Sequence, residues 1–222
     1  MFKNKAILKD NFFMSLLFIL FSCVLFTNGC ESEREKHEIS LFDGKALGQW
    51  EISDFVRHGD VYVKDGAIYI EKSKTGGYMT GITWTGPLVQ MNYEITLEAM
   101  RIDGSDFFCG LTFPVGDRPC SLILGGWGGS LCGISSLDYM DASENETTVF
   151  VDFNQNQWYH VRLRVTENKI LAWLDDEILV NVDTTGKNID IRIEVMPSLP
   201  LGISTYLTTG AIRNIKLHKL DN

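Results

Sequence analysis

Histidine and cysteine are scarce in this chain, and basic residues are outnumbered. The four histidines (His37, His58, His160, His218) are scattered, and none forms a ligand-spaced pair. That argues against a histidine-rich metal site. The five cysteines include no CxxC pair. Setting Cys23 and Cys30 aside leaves Cys109, Cys120 and Cys132, so at most one disulfide can form. Cys109 lies in the apolar run FFCGLTF and reads as a small buried hydrophobe. Twenty Lys and Arg face 29 Asp and Glu, for a formal charge of −9. No basic stripe appears, which argues against nucleic acid as a partner, because phosphate binding needs concentrated positive charge. A nucleophile elbow, a phosphate loop and an HExxH motif are all missing. Beyond residue 30, no stretch of a dozen residues shows a helical period.

What is present begins with a targeting segment. Lys3, Lys5 and Lys9 precede an apolar run over 12–26, too short to span a membrane and of signal-peptide size. It ends at Thr27-Asn28-Gly29-Cys30, followed by the polar tract ESEREKHE. A small residue, a Cys and then a charged tract resemble a bacterial lipoprotein cleavage site. Residues 1–29 are therefore expected to be a signal peptide, Cys30 the lipidated residue and 30–38 a charged tether. Cys23 is the competing site, but cleavage there would leave Val24, Leu25 and Phe26 at the start of a linker. A plain secretory signal is the other alternative. Removing 1–29 takes three lysines and one aspartate and leaves a net charge of −11. This acidic balance favours solubility and neutral partners such as sugars. The implied location is the bacterial cell envelope, on a lipid anchor in the membrane.

The rest reads as strand after strand. Val61-Tyr62-Val63, a Lys64-Asp65-Gly66 turn and Ala67-Ile68-Tyr69-Ile70 make a hairpin. Tyr93-Glu94-Ile95-Thr96-Leu97-Glu98-Ala99 alternates cleanly. So does the run from Tyr159, with Val161, Leu163 and Val165 inward and His160, Arg162 and Arg164 outward. Further strands are expected over 170–174, 178–182, 189–195, 201–206 and 211–217. Many short strands imply an all-β sandwich, jelly roll or barrel. One domain over 39–219 is expected.

The longest interruption is 124–148, LGGWGGSLCGISSLDYMDASENETT. It reads as a long polar loop, and such loops either serve a site or cross the surface at one end of a sandwich. Its carboxylates Asp138, Asp141, Glu144 and Glu146 offer acid, base or hydrogen-bond chemistry. They could also hold Ca²⁺ or another divalent ion, although no EF-hand order is present; no cofactor is otherwise expected. Trp127 between glycine pairs suits a platform for stacking a sugar ring, or a lid packed on the edge. Asn145-Glu146-Thr147 matches a glycosylation sequon without meaning in a bacterial lipoprotein. Asp117 and Arg118 either reach over a groove edge or form the turn after Val115. In the run 191–195, Ile191, Ile193 and Val195 are expected to face the core. Arg192 and Glu194 would then share the opposite face, either lining a groove or making a solvated ion pair. Trp50, Trp158 and Trp173 read as packing residues.

The order of the strands carries a resemblance. Leu41-Phe42-Asp43-Gly44-Lys45-Ala46-Leu47 with Trp50 looks like the LFDGK-x-L…W opening of the bacterial 3-keto-disaccharide hydrolase family. Val63 to Ile68, Asn92 to Glu98, Trp158 to Leu163, Leu174 to Glu177, Gly202 to Ser204 and Ile212 to Ile215 follow in the family's order. The resemblance implies a concanavalin A-like jelly roll of two curved antiparallel sheets with a ligand groove on the concave face. It also implies lyase, hydratase or hydrolase chemistry on 3-keto-glycosides, the alternative being a non-catalytic lectin-like module. The block LGGWGG…DASENETT departs from the family pattern. Under that reading the expected partner is a small sugar or glycoside. Glu194 would be the base, Arg192 the enolate stabiliser, and Asp141 or Glu144 the acid or hydroxyl clamp. Trp127, Asp117, Arg118, Asp138 and Asn145 would contact substrate.

Overall fold

The computed structural model describes residues 38–221. The expected signal peptide, both candidate lipid cysteines and all of the expected tether but Glu38 lie outside the described residues. Among the described residues the chain runs through β1 (Glu38–Ser40), β2 (Trp50–Ile52), β3 (Val61–Lys64), β4 (Ala67–Ile70) and β5 (Met79–Trp84). It continues with β6 (Tyr93–Asp103), β7 (Cys109–Val115), β8 (Arg118–Gly126), β9 (Leu131–Ser135) and β10 (Val149–Phe150). The last strands are β11 (Trp158–Thr166), β12 (Lys169–Leu174), β13 (Glu177–Asp183), β14 (Gly202–Tyr206) and β15 (Thr209–Lys219). A 3₁₀ helix, Ile193–Ser198, precedes β14.

The strands form two antiparallel sheets. An eight-stranded sheet has the order β13-β12-β11-β6-β15-β4-β3, with β1 beside β15. A seven-stranded sheet has the order β10-β9-β8-β7-β14-β5-β2. The result is a jelly-roll β-sandwich, as the alternating segments require: each strand puts every second side chain between the sheets. From the eight-stranded sheet Ile95, Leu97, Val161, Leu163 and Val165 fill the core, and from the other Leu111, Leu122, Leu124, Ile134 and Ile203. Trp50 joins this core, with its indole Nε1 donating to Leu41 O at 2.8 Å. Burial pushes the Cys109 and Cys120 thiols up to about 12, which leaves them unreactive packing groups.

On the outer face of the eight-stranded sheet, the remaining two packing tryptophans lie under arginines. Arg162 stands 3.8 Å from the Trp173 ring centre, and Arg213 stands 4.1 Å from that of Trp158. Glu94 receives Arg164, with Nε donating at 2.9 Å, and Glu98 receives Arg213 and Asn214.

Two expected elements differ. The segment 124–148 is not one loop. Gly125 and Gly126 end β8, Leu131–Ser135 is β9, and irregular backbone begins only at Ser136. The run 189–195 is not a strand either. Ile189 makes one bridge with Leu137, and the chain then lifts into the 3₁₀ helix. Ile193 is exposed and Ile191 is half-buried, whereas Val195 is buried. Two features break the ladder: Pro197 lacks a backbone donor, and the segment is a crossover linking β13 in one sheet to β14 in the other.

Candidate functional site

That crossover builds a pocket on the outer face of the seven-stranded sheet. Its start is pinned beside β9, where Ser136 N donates to Asp190 O at 2.7 Å and Asp138 N to Asn188 O at 2.8 Å. Its end is pinned over β5, where Thr83 Oγ1 donates to Pro197 O at 2.8 Å. Between these anchors Arg192, Glu194 and Val195 form one wall of a pocket of about 740 Å³.

Strand register explains the floor. Cys120, Leu122 and Leu124 of β8 point into the core, so Ser121 and Ile123 point out and line the pocket. Ile123 sits beside Gly110 of β7, and Gly110 beside Ser204 of β14, which in turn sits beside Gly81 of β5. The two glycines are seats for aromatic rings. A Cβ on Gly110 would lie 3.0 Å from the Phe107 ring, and one on Gly81 would lie 2.9 Å from the Phe55 ring. A side chain at Gly110 would press the Phe107 ring off the sheet, and one at Gly81 would meet Ile203 O at 2.8 Å as well as the Phe55 ring.

The second wall is aromatic. Tyr78 and Tyr206 stack with ring centres 5.9 Å apart and planes 12° apart, and Phe107 adjoins Tyr206 at 5.8 Å. Trp127 closes one end, 44% exposed, at the tip of the β8–β9 hairpin. Its φ of +46° is the left-handed conformation that this tight turn demands. Arg101 holds that hairpin in place. Its Nη2 donates to Gly129 O at 2.7 Å, Gly125 O at 3.2 Å and Asp106 O at 3.3 Å, while the guanidinium lies 5.0 Å from the Phe108 ring centre. Asp106 Oδ2 accepts from Gly128 N at 3.4 Å, and Oδ1 accepts from Phe107 N at 2.8 Å.

The charged group is centred on Arg192. The guanidinium grips Glu194 with two donors, Nη2 to Oε1 at 2.9 Å and Nε to Oε2 at 3.4 Å. Its Nη1 donates to Asp141 Oδ2, and Asp141 Oδ1 accepts from Ser135 Oγ at 3.3 Å. Hydrogen bonding from Arg192 holds the Glu194 carboxyl below the usual carboxylate range, and Glu194 raises Arg192 in return. A fixed cation between two carboxylates can hold sugar hydroxyls or meet a developing oxyanion.

Arg192, Glu194 and Trp127 thus line one pocket, with Asp141 behind Arg192 and tied to it. The other expected site residues are elsewhere or engaged. Asp117 and Arg118 form the exposed β7–β8 turn at the end of β8 away from Trp127. Asp138 accepts from Asn188 N at 2.8 Å and stands near Lys187, which also binds Glu146. Glu144 is exposed and does not line the pocket. Asn145 is buried as a backbone brace: its Nδ2 donates to Ile134 O, Met140 O and Asp141 O, and its Oδ1 accepts from Thr147. It cannot reach a ligand. Among the described residues no group of three His, Cys, Asp or Glu side chains is arranged to hold a metal ion. Sequence reading missed Phe55, Tyr78, Phe107 and Tyr206. Phe55 and Phe107 sit over the cross-strand Gly81 and Gly110, and Tyr78 and Tyr206 are brought together by pairing between distant segments, neither of which sequence spacing reveals.

The sequence matches the model of the 3-keto-alpha-glucoside-1,2-lyase-like domain over residues 37–218. The chain belongs to that family. No curated protein matches the sequence. The lyase-like domain shares its fold with several solved structures. A candidate glycosyl hydrolase of Parabacteroides distasonis aligns at TM-score 0.56 and 17% identity, covering 86% of this chain and 97% of that one. The carbohydrate binding module CBM66 of Bacillus subtilis aligns at TM-score 0.53 and 9% identity, over 77% and 96% of the two chains. A beta-1,3-glucanase of Mycobacterium marinum aligns at 0.51 and 10% identity, over 82% and 96%. At these identities the likeness is one of fold.

Proposed function

We propose that this lyase-like domain acts on 3-keto-glycosides, held in the pocket between Arg192–Glu194 and the aromatic wall. The observation that carries the reading is the joining of a carboxylate and a fixed guanidinium on one pocket wall in a member of this family. A 3-keto group acidifies the C2 hydrogen. Glu194 would take that proton while Arg192 faces the oxygen that gains charge. The C1–O bond then breaks, leaving an unsaturated ketone. In a syn arrangement the same carboxyl returns its proton to the departing oxygen, so the step balances. Water added across the new double bond would complete a net hydrolysis. Asp141 orients Arg192 from behind. The protein is further proposed to be held in the bacterial cell envelope by lipid on Cys30.

The test is incubation of purified protein with a 3-keto-glucoside and its unoxidised parent, with product analysis. Glu194→Gln keeps size and removes the base, so turnover is expected to fall at least ~100-fold. Unchanged turnover in that variant excludes Glu194 as base. A second reading, a non-catalytic carbohydrate-binding module, is favoured by the two hydrogen bonds that engage Glu194 and weaken it as a base. Sugar binding without any turnover in the unmodified protein would select it.

A further inference from the structure

The pocket is chemically lopsided. Groups that can satisfy sugar hydroxyls gather on the crossover side: Arg192 and Glu194, with Ser121 and Ser135 below them. The opposite side offers few beyond the Tyr78 and Tyr206 hydroxyls and, among the described residues, carries no cation. Asp106 engages both its carboxylate oxygens with the backbone amides of Phe107 and Gly128, and Asp54 stands at the rim beside Phe55. A ring carrying a full set of hydroxyls would find little more than those two phenols there, and hydroxyls left unpaired carry a cost.

That side is instead a row of rings locked by backbone. Tyr206 N donates to Phe107 O at 3.0 Å, and Leu207 N donates to Tyr78 O at 2.8 Å. Three separate segments are thereby fixed so that Phe107, Tyr206 and Tyr78 follow one another along the wall. Tyr78 is nonetheless 63% exposed, and Val56 on the same rim is 82% exposed. Ile193 faces them from the crossover, 77% exposed. Single exposed apolar residues are ordinary, but convergence on one pocket marks a binding surface. The volume, about 740 Å³, is that of a site for a drug-sized ligand.

We propose that the Tyr78–Tyr206–Phe107 wall is an aglycone subsite for a flat apolar ring, so that the preferred ligands are aryl glycosides rather than sugar–sugar conjugates. The inference rests on reading the pocket as a glycoside site. The glycosyl ring sits against Arg192 and Glu194, and the aryl group lies along the tyrosines. The rings are already ordered before binding, so little freedom is lost when a ligand stacks on them.

The experiment is calorimetric binding of phenyl glucoside, methyl glucoside and cellobiose to the unmodified protein, Tyr78→Ala and Tyr78→Phe. Both anomers of each monoglucoside are used. Phenyl glucoside is expected to bind about 10-fold more tightly than methyl glucoside, the scale of one aromatic stacking contact. Tyr78→Ala brings that ratio near one, and Tyr78→Phe restores it, which separates ring stacking from the hydroxyl. Equal binding of phenyl and methyl glucoside overturns the inference. So does tighter binding of cellobiose, absence of binding by both monoglucosides, or an equal loss for both in Tyr78→Ala. Turnover of 3-keto phenyl glucoside is followed in parallel. Aryl preference in binding with no turnover would reject the enzymatic reading and leave the subsite standing.

Discussion

Arg192 decides what Glu194 can do. Its two hydrogen bonds stabilise the carboxylate and hold it below the usual range. A depressed carboxyl stays ionised further into acid, so if Glu194 is the base of the proposed reaction, the acid limb of kcat/KM is expected to lie below an ordinary glutamate. Replacing Arg192 with Gln should move that limb upward towards about 4.5, the unperturbed carboxyl value, and lower the alkaline plateau as the enolate loses its cation. A pH profile of the two proteins on one 3-keto-glucoside checks this; a limb that does not move would mean that some other group titrates. The same sign governs stability. The contribution of this ion pair is present above the ordinary value and lost as pH falls through the depressed one. Asn145 shows the opposite fate for a polar residue, since its side chain is taken up by the carbonyls of Ile134, Met140 and Asp141 and by the amide and hydroxyl of Thr147. Asn145→Ala is expected to leave several buried groups unpaired and cost about 1–3 kcal/mol in urea unfolding.

At the scale of elements, the β8–β9 hairpin and the crossover frame the pocket, and both escape simple pattern reading. The hairpin looks like loop because of its glycines, yet those glycines serve the turn around Trp127. Gly125 has φ +75° and Gly129 has φ +111°, conformations that favour glycine. Arg101 joins this hairpin to the 104–107 segment through three carbonyls. Arg101→Met keeps an apolar stem beside Phe108 but leaves those carbonyls unpaired. Expected outcomes are a loss of about 1–3 kcal/mol in stability and faster hydrogen exchange at 126–130. Unchanged exchange there would show that the hairpin does not need Arg101. The crossover misleads in the other direction. Ile191-Arg192-Ile193-Glu194-Val195 alternates like a strand, but Pro197 and the step between sheets end the pairing.

At the scale of the whole molecule, the acidic balance and the buried thiols of Cys109, Cys120 and Cys132 leave the outer pocket, rather than the core, as the place for chemistry. The N-terminal segment bears on where that surface is displayed. If Cys30 carries the lipid, Cys30→Ser should shift the protein from the membrane to the soluble fraction and abolish labelling by a lipid precursor. Retention of the label would transfer the assignment to Cys23. The core itself should be unforgiving: Leu122→Ala, at a fully buried position between the sheets, is expected to cost about 2–5 kcal/mol in thermal or urea unfolding.

The alternation of Tyr93–Ala99 and Tyr159–Val165, the Asp65-Gly66 turn and the LFDGK opening were enough to indicate an all-β sandwich and its family. Period two is a local property, and burial of one strand face follows from it. Arg192 and Glu194 were also legible as a pair, because residues two apart in an alternating run share a face, and Arg192 keeps an extended backbone just ahead of the 3₁₀ helix. Which surface they face, that Asp141 joins them from 51 positions away, and that Phe55, Tyr78, Phe107 and Tyr206 share their pocket were settled only by the tertiary structure. Those relations come from which strands lie side by side and where glycine leaves room for a ring. Both are set by packing between distant segments, and no local period encodes them.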